Sequence, residues 1–146
     1  MERRKFIRTC CYTTIGFPML VSVLQSCGLI YYATSTRNAN SLIVAKSEFW
    51  KVKKNKKVNR SFVLVRIEDD QFPICIYKFE EDKYIASLLK CTHRECELNV
   101  GGGIYSCPCH GSEFTITGKV LNGPADRDLK TYKIETDNEY IYLSLS

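Results

Sequence analysis

Histidine is nearly absent from this chain: His93 and His110 are the only two in 146 residues. Any imidazole chemistry must therefore use these two. Internal repeats are also missing, which excludes a stacked-repeat architecture. Positive charge is lacking where nucleic-acid binding would need it. The formal net charge is +5, but it is concentrated in residues 1–8 (+3) and 46–60 (+6). Residues 61–146 carry nine basic and fourteen acidic residues, a net −5. A nucleic-acid face wants basic residues spread over the folded part with aromatics between them, so that class is set aside and no nucleic-acid partner is expected. The length leaves room for one small domain. A hydrophobic fraction of 45% with 12% aromatics suffices for a core, so general disorder is not expected.

What the chain does have is concentrated between Cys91 and Ser112, CTHRECELNVGGGIYSCPCHGS. Both histidines lie here, with four of the eight cysteines: Cys91, Cys96, Cys107 and Cys109. The pattern is Cys-x-His, a spacer, then Cys-x-x-His, with a further cysteine in each box. Each box offers one thiolate and one imidazole to a metal. Zinc sites usually pair Cys with Cys and His with His at close range. Here each close pair mixes the two types, a poor zinc match. Two cysteines and two histidines divided between two irons is instead the donor set of a Rieske [2Fe–2S] centre.

The two boxes resemble the CTHxxC and CPCHGS motifs of Rieske iron–sulfur proteins, in the disulfide-containing branch found in cytochrome b complexes. The resemblance spans roughly residues 41–146 and is strongest in the boxes and in the segment around Asn122–Tyr132. It implies one [2Fe–2S] cluster, with Cys91, His93, Cys107 and His110 as ligands. It also implies a disulfide between Cys96 and Cys109, and a hydroxyl from Ser112 that tunes the cluster. Neutral imidazoles in place of two thiolates lower the negative charge on such a cluster and raise its potential. A disulfide persists in an oxidising compartment. The spacer from His93 to Cys107 is 13 residues, shorter than the family usually shows, and reads as a trimmed loop. Two departures bear on function. Quinol-oxidising relatives carry Leu-Gly where this chain has Arg94-Glu95, and a charged tip is costly to desolvate in an apolar quinol pocket. Relatives also carry a tyrosine at the position of Phe114, which has no donor.

The N-terminal segment reads as an export signal. Arg3, Arg4, Lys5 and Arg8 precede a stretch from Thr9 to Thr36 without a charged residue. Arg3 to Arg8 resembles a twin-arginine motif, the route for proteins folded before export. Leu24-Gln25-Ser26-Cys27 resembles a bacterial lipobox, which makes Cys27 the expected lipidation site; acylation would anchor the chain. The apolar run continues to Ala33, long enough for an uncleaved membrane helix as the alternative. The expected division is a signal over 1–27 (or an anchor helix extending to 33), a linker over 34–41, and a Rieske domain over 42–146. Lys51 to Arg60 reads as a solvated loop, with attraction to anionic headgroups near the anchor as its functional reading.

The fold class expected is all-β: a small domain of stacked antiparallel sheets with two cluster-binding loops, preceded by an apolar N-terminal signal or anchor helix. Strands are expected at 42–45, 62–67, 74–79, 84–89, 98–100, 104–106, 114–116, 119–121, 132–134 and 140–143, from their β-formers and bounding turns. Gly101-Gly102-Gly103 marks a hairpin that sets the boxes side by side. Cys75, in mid-strand, reads as a small buried hydrophobe. The function expected is a one-electron carrier tethered to a membrane in the bacterial cell envelope, on the extracytoplasmic side, with a cytochrome or an oxidoreductase subunit as redox partner. Alternatives are the Rieske subunit of a quinol-oxidising cytochrome b-type complex, the electron-relay subunit of an exported oxidoreductase, and, weakest, a zinc-bound structural module. The chain is thus an electron-transfer protein or the redox subunit of an enzyme complex, with no catalytic residue of its own.

Overall fold

A computed structural model describes residues 30–68 and 70–145. The signal and lipidation readings of residues 1–27, Cys27 included, lie outside the described residues. The described chain folds as three antiparallel sheets and one separate hairpin. The middle sheet holds β5 (Phe62–Val65), β6 (Ile74–Glu80), β7 (Lys83–Leu88) and β12 (Thr131–Tyr132) in the order β12-β7-β6-β5. Its strands are apolar on both sides because both faces are covered. Val63, Val65, Ile74, Ile76 and Ala86 point into one core. Leu64 and Cys75, alternating with them along the strands, point into the other. Each fully buried aliphatic side chain here contributes roughly 1.5–3 kcal/mol.

The first core is closed by β1 (Ser35–Asn38), β2 (Ser41–Ala45), β13 (Ile134–Thr136) and β14 (Tyr140–Ser144), ordered β1-β2-β14-β13. Leu42, Val44, Ile141 and Leu143 are its inward face. The second core is closed by β8 (Asn99–Gly101), β9 (Ile104–Ser106), β10 (Glu113–Thr115) and β11 (Val120–Asn122), ordered β11-β10-β9-β8. Tyr105 and Phe114, opposite one another on β9 and β10, are both fully buried in it. Gly102 and Gly103, at φ +61° and +78°, turn β8 into β9, as the triple glycine predicts.

Four expectations need correction. The stretch 34–41 is not a linker. It contains β1, which pairs with β2 from Ser35↔Val44 to Asn38↔Ser41, so its small polar residues form an edge strand and a turn. Residues 31–33 are not available to a membrane helix. The Ala33 N–H donates to the Leu64 carbonyl at 2.7 Å, Leu64 N–H donates to the Tyr31 carbonyl at 3.0 Å, and Ala33 is buried in the first core. Residues 51–60 are solvated but not an irregular loop. They hold β3 (Trp50–Lys53, which begins at the preceding Trp50) and β4 (Lys56–Asn59), turned at Lys54 and Asn55 with φ of 48° and 60°. Finally, the run 132–134 divides between β12 and β13, two different sheets. Among the described residues no helix is long and apolar enough to cross a membrane.

Candidate metal centre

The two boxes are loops with the same backbone construction. In the first, Cys91 N–H donates to the Cys96 carbonyl at 2.9 Å and Glu95 N–H donates to the Cys91 carbonyl at 2.9 Å. In the second, Cys107 N–H donates to the Ser112 carbonyl at 2.8 Å and Gly111 N–H donates to the Cys107 carbonyl at 3.0 Å. Each loop closes through a left-handed residue at the fifth position, Glu95 at φ 58° and Gly111 at φ 76°. Glycine takes that conformation freely, whereas a side chain costs about 1–2 kcal/mol there. Glu95 gains a partner in return, since Lys90 Nζ lies 2.8 Å from its carboxylate. The loops are presented by the ends of the strands that precede them, β7 and β9. The hairpin between them brings them face to face.

Cys96 and Cys109 are joined in a disulfide that ties loop to loop, the pairing the resemblance implied. This removes two of the four local thiols as ligands. Cys91 and Cys107 remain free and buried. The Cys107 sulfur lies within 4.8 Å of both disulfide sulfurs. His93 and His110, one from each loop, meet edge to face with ring centroids 5.0 Å apart. His93 Nδ1 is buried and has no hydrogen-bond partner, a state that costs roughly 1–3 kcal/mol in a protein interior. Burial raises the Cys91 thiol, but the His93 N–H, the Cys107 thiol, the Arg94 N–H and the Ser112 hydroxyl act the other way and bring it below its ordinary value. Two buried thiols, one of them prepared for ionisation, and an orphaned imidazole nitrogen are what a mixed sulfur–nitrogen metal centre requires.

A family model for the Rieske [2Fe-2S] domain matches residues 45–133. The chain belongs to the Rieske [2Fe–2S] family. Its cofactor is a [2Fe–2S] cluster, and its general role is to carry electrons. Over 80 residues the chain is 35% identical to a cytochrome b6-f complex iron-sulfur subunit of Chlorobaculum thiosulfatiphilum, covering 47% of this chain and 44% of the relative. Over 56 residues it is 41% identical to the corresponding subunit of Synechococcus sp. strain JA-2-3B'a(2-13), covering 37% of this chain and 33% of the relative. The chain thus spans less than half the length of these curated relatives. Among solved structures it is similar to a cyanobacterial plasma membrane Rieske protein from Synechocystis PCC 6803. The TM-score is 0.51 at 33% identity, over 57% of this chain and 86% of the other.

A third segment completes the Rieske site, and its contacts were not visible in the sequence. The Ala125 N–H donates to Ser112 Oγ at 3.0 Å, in a buried position. Thr92 Oγ1 donates to the Arg127 carbonyl at 2.6 Å, and the Arg127 guanidinium donates back to the Thr92 carbonyl at 3.2 Å. The segment after Asn122, which includes a cis Gly123–Pro124 bond, is thereby stitched to both loops. Thr92, Ala125 and Arg127 are positioning residues. Of these contacts, only that of Thr92 has a local cue in the sequence, a hydroxyl next to His93. Ser112 is fully buried, and besides accepting from Ala125 its hydroxyl lies within hydrogen-bonding reach of the Cys91 thiol. Phe114 is fully buried beneath the second loop. Cys75 is buried as expected, and burial pushes its thiol up to about 12. It packs in the second core with Tyr105.

Proposed function

We propose that this chain is a one-electron carrier tethered to a membrane on its extracytoplasmic side, in the bacterial cell envelope. In this reading Cys91 and Cys107 hold one iron and His93 and His110 the other. The observation that supports it is the convergence of two free buried thiols and two imidazoles beside a disulfide that leaves no other local thiol. When bound, the cluster takes up and gives back a single electron. The protein holds the donors in two rigid loops, excludes water from the cysteine side and leaves the His110 side exposed, where a partner can approach. Iron and sulfide analysis with electron paramagnetic resonance tests the ligand set. Two irons and two sulfides per chain with a rhombic low-g spectrum are expected. A four-cysteine spectrum, or stoichiometric zinc after growth with ample iron, overturns it.

Ser112 and Phe114 are proposed to set the potential. A donor to a cluster-ligating sulfur withdraws negative charge, and the reduced form carries more of that charge, so a donor raises the potential. A hydrogen bond to a charged acceptor is worth about 1.5–3 kcal/mol, and part of that difference appears between oxidation states. About 1.4 kcal/mol corresponds to roughly 59 mV for one electron. Ser112→Ala should lower the potential by tens of millivolts. Phe114→Tyr should raise it by a similar amount if its hydroxyl reaches the Cys107 sulfur. If the hydroxyl finds no acceptor, the potential stays put and stability falls by roughly 1–3 kcal/mol, since Phe114 is fully enclosed. Voltammetry at fixed pH together with thermal melts separates the two.

The tether is proposed to be a lipid on Cys27. Cys27→Ala should then release the protein from membranes or leave an uncleaved precursor. A variant that remains membrane-bound, with a mass differing from wild type by one sulfur alone, favours an apolar helix instead, one that ends before Tyr31. The partner is proposed to be a cytochrome or an oxidoreductase subunit. Arg94 and Glu95 are exposed at the tip, which speaks against an apolar quinol pocket because a charge enters one at a cost of several kcal/mol. Co-purification of the intact membrane protein identifies which partner it is. Recovery of a quinol-oxidising cytochrome b with this chain overturns the reading of the tip.

A further inference from the structure

The β3–β4 hairpin carries a charge pattern that the electron-carrying role does not use. Lys51, Lys53, Lys54, Lys56 and Lys57 lie on eight strand residues and a two-residue turn, every one of them exposed. Among the described residues none of these five lysines has an ion-pair partner. Apolar side chains are exposed between them: Val52 at 73%, Trp50 at 43% and Val58 at 38%. The register sets Lys51 opposite Val58 and Val52 opposite Lys57, so both faces of the hairpin mix cations with apolar groups. Like charges also stand directly opposite at Lys53 and Lys56, an arrangement that destabilises a free hairpin and is relieved by an anionic surface.

The base of this hairpin grips the point where the N-terminal segment enters the domain. The Tyr31 hydroxyl donates to the Glu48 carboxylate at 2.6 Å. The Arg60 guanidinium stacks 3.7 Å from the Tyr31 ring centre and donates to the Glu48 and Trp50 carbonyls at 2.9 and 2.6 Å. The charge-free stretch from Thr9 to Thr36 therefore meets the fold at the root of its most basic element. The cluster loops pack into the other core, across the middle sheet.

We propose that the β3–β4 hairpin is a membrane-seating element that binds the anionic headgroups of the bilayer to which the chain is tethered. Lysines meet the phosphates, and Trp50 and Val52 enter the interfacial layer, where a basic surface with interleaved apolar groups is most stable. The proposal builds on the tethered reading above. An acidic partner protein would take the lysines but has no use for apolar groups exposed on both faces, Trp50 and Val52 on one and Val58 on the other.

Trp50 is the only tryptophan in the chain, so its emission reports on this hairpin alone. The full chain would be placed in phosphatidylcholine vesicles with and without phosphatidylglycerol. With phosphatidylglycerol, Trp50 emission should shift to the blue, become shielded from acrylamide and be quenched by brominated lipid, and added salt should reverse all three. Replacing lysines by glutamine should lower the seated-to-free ratio about fivefold per charge removed. The five-fold glutamine variant should lose the response while its visible absorption stays as in wild type. A Trp50 signal that is the same in both lipids, or a variant that responds as wild type does, overturns the proposal. Failure of the chain to co-float with phosphatidylcholine alone would instead refute the tether. Lysine-dependent flotation with phosphatidylglycerol would still support the hairpin, and its absence would still overturn it.

Discussion

His110→Ala, and equally Cys107→Ser, should strip the protein of its cluster: iron falls from two per chain to background and the visible colour is lost. The reason is the absence of substitutes. The sequence holds no third histidine, and Cys96 and Cys109 are tied to each other. Even residues that only orient a metal ligand typically cost 10–100-fold in affinity when replaced, by the general scale for such contacts. Loss of a ligand should exceed about 100-fold by the same scale. Cys75→Ser is the matched control. It too removes a buried thiol from the second core, but iron content should stay at two per chain. Metal analysis of the three purified variants decides this. A Cys107→Ser protein with full iron, or a Cys75→Ser protein without it, removes the ligand assignment.

Cys96→Ser should produce the largest loss of stability from a single change in the site. The bridge closes a loop of sequence separation 13, and cross-linking a loop of that size is worth about 3 kcal/mol through the unfolded chain. For a domain of this size that corresponds to a fall in Tm of more than roughly 10 °C. The native consequences add to it. The disulfide is the covalent link that holds the loop carrying His93 against the loop carrying His110, so its loss should also loosen the cluster and lower its potential. Thermal melts of wild type with and without reductant, beside Cys96→Ser and Cys109→Ser, measure the effect. The reduced wild type and both variants should coincide within about 1 kcal/mol. An unchanged Tm in all three overturns the role given to the bridge, and non-reducing mass spectrometry should find Cys96 linked to Cys109.

How much of this could be read from the chain depended on how far apart the interacting residues lie. Cys-x-His and Cys-x-x-His put their donors within one turn of backbone, so spacing alone announced a mixed-ligand metal site. Most strands were announced by runs of β-formers between turns, as at Phe62–Val65 and Ile74–Glu80. The errors fell where local cues were weak or opposed the outcome. Residues 35–38 are small and polar and read as a linker, yet they pair with β2 because that strand offers an open edge. The lysine-rich run read as a loop because like charges disfavour pairing, yet it closes into a hairpin at Lys54-Asn55.

The sequence by itself determined the chemistry of the site: which donors exist, that both histidines and four cysteines lie within 22 residues, and that family likeness assigns them to a [2Fe–2S] centre. Those are properties of side-chain identity and short spacing, which no fold can change. Only the tertiary structure decided what surrounds them. Ser112 meets Ala125 across 13 residues, Thr92 meets Arg127 across 35 and Tyr31 meets Glu48 across 17. A hydrogen bond fixes nothing in sequence about who its partner will be, because many hydroxyls and carbonyls are chemically alike. Burial by the packed sheets selects one of them, and that selection leaves His93 Nδ1 without a partner and brings the basic hairpin to the root of the N-terminal segment.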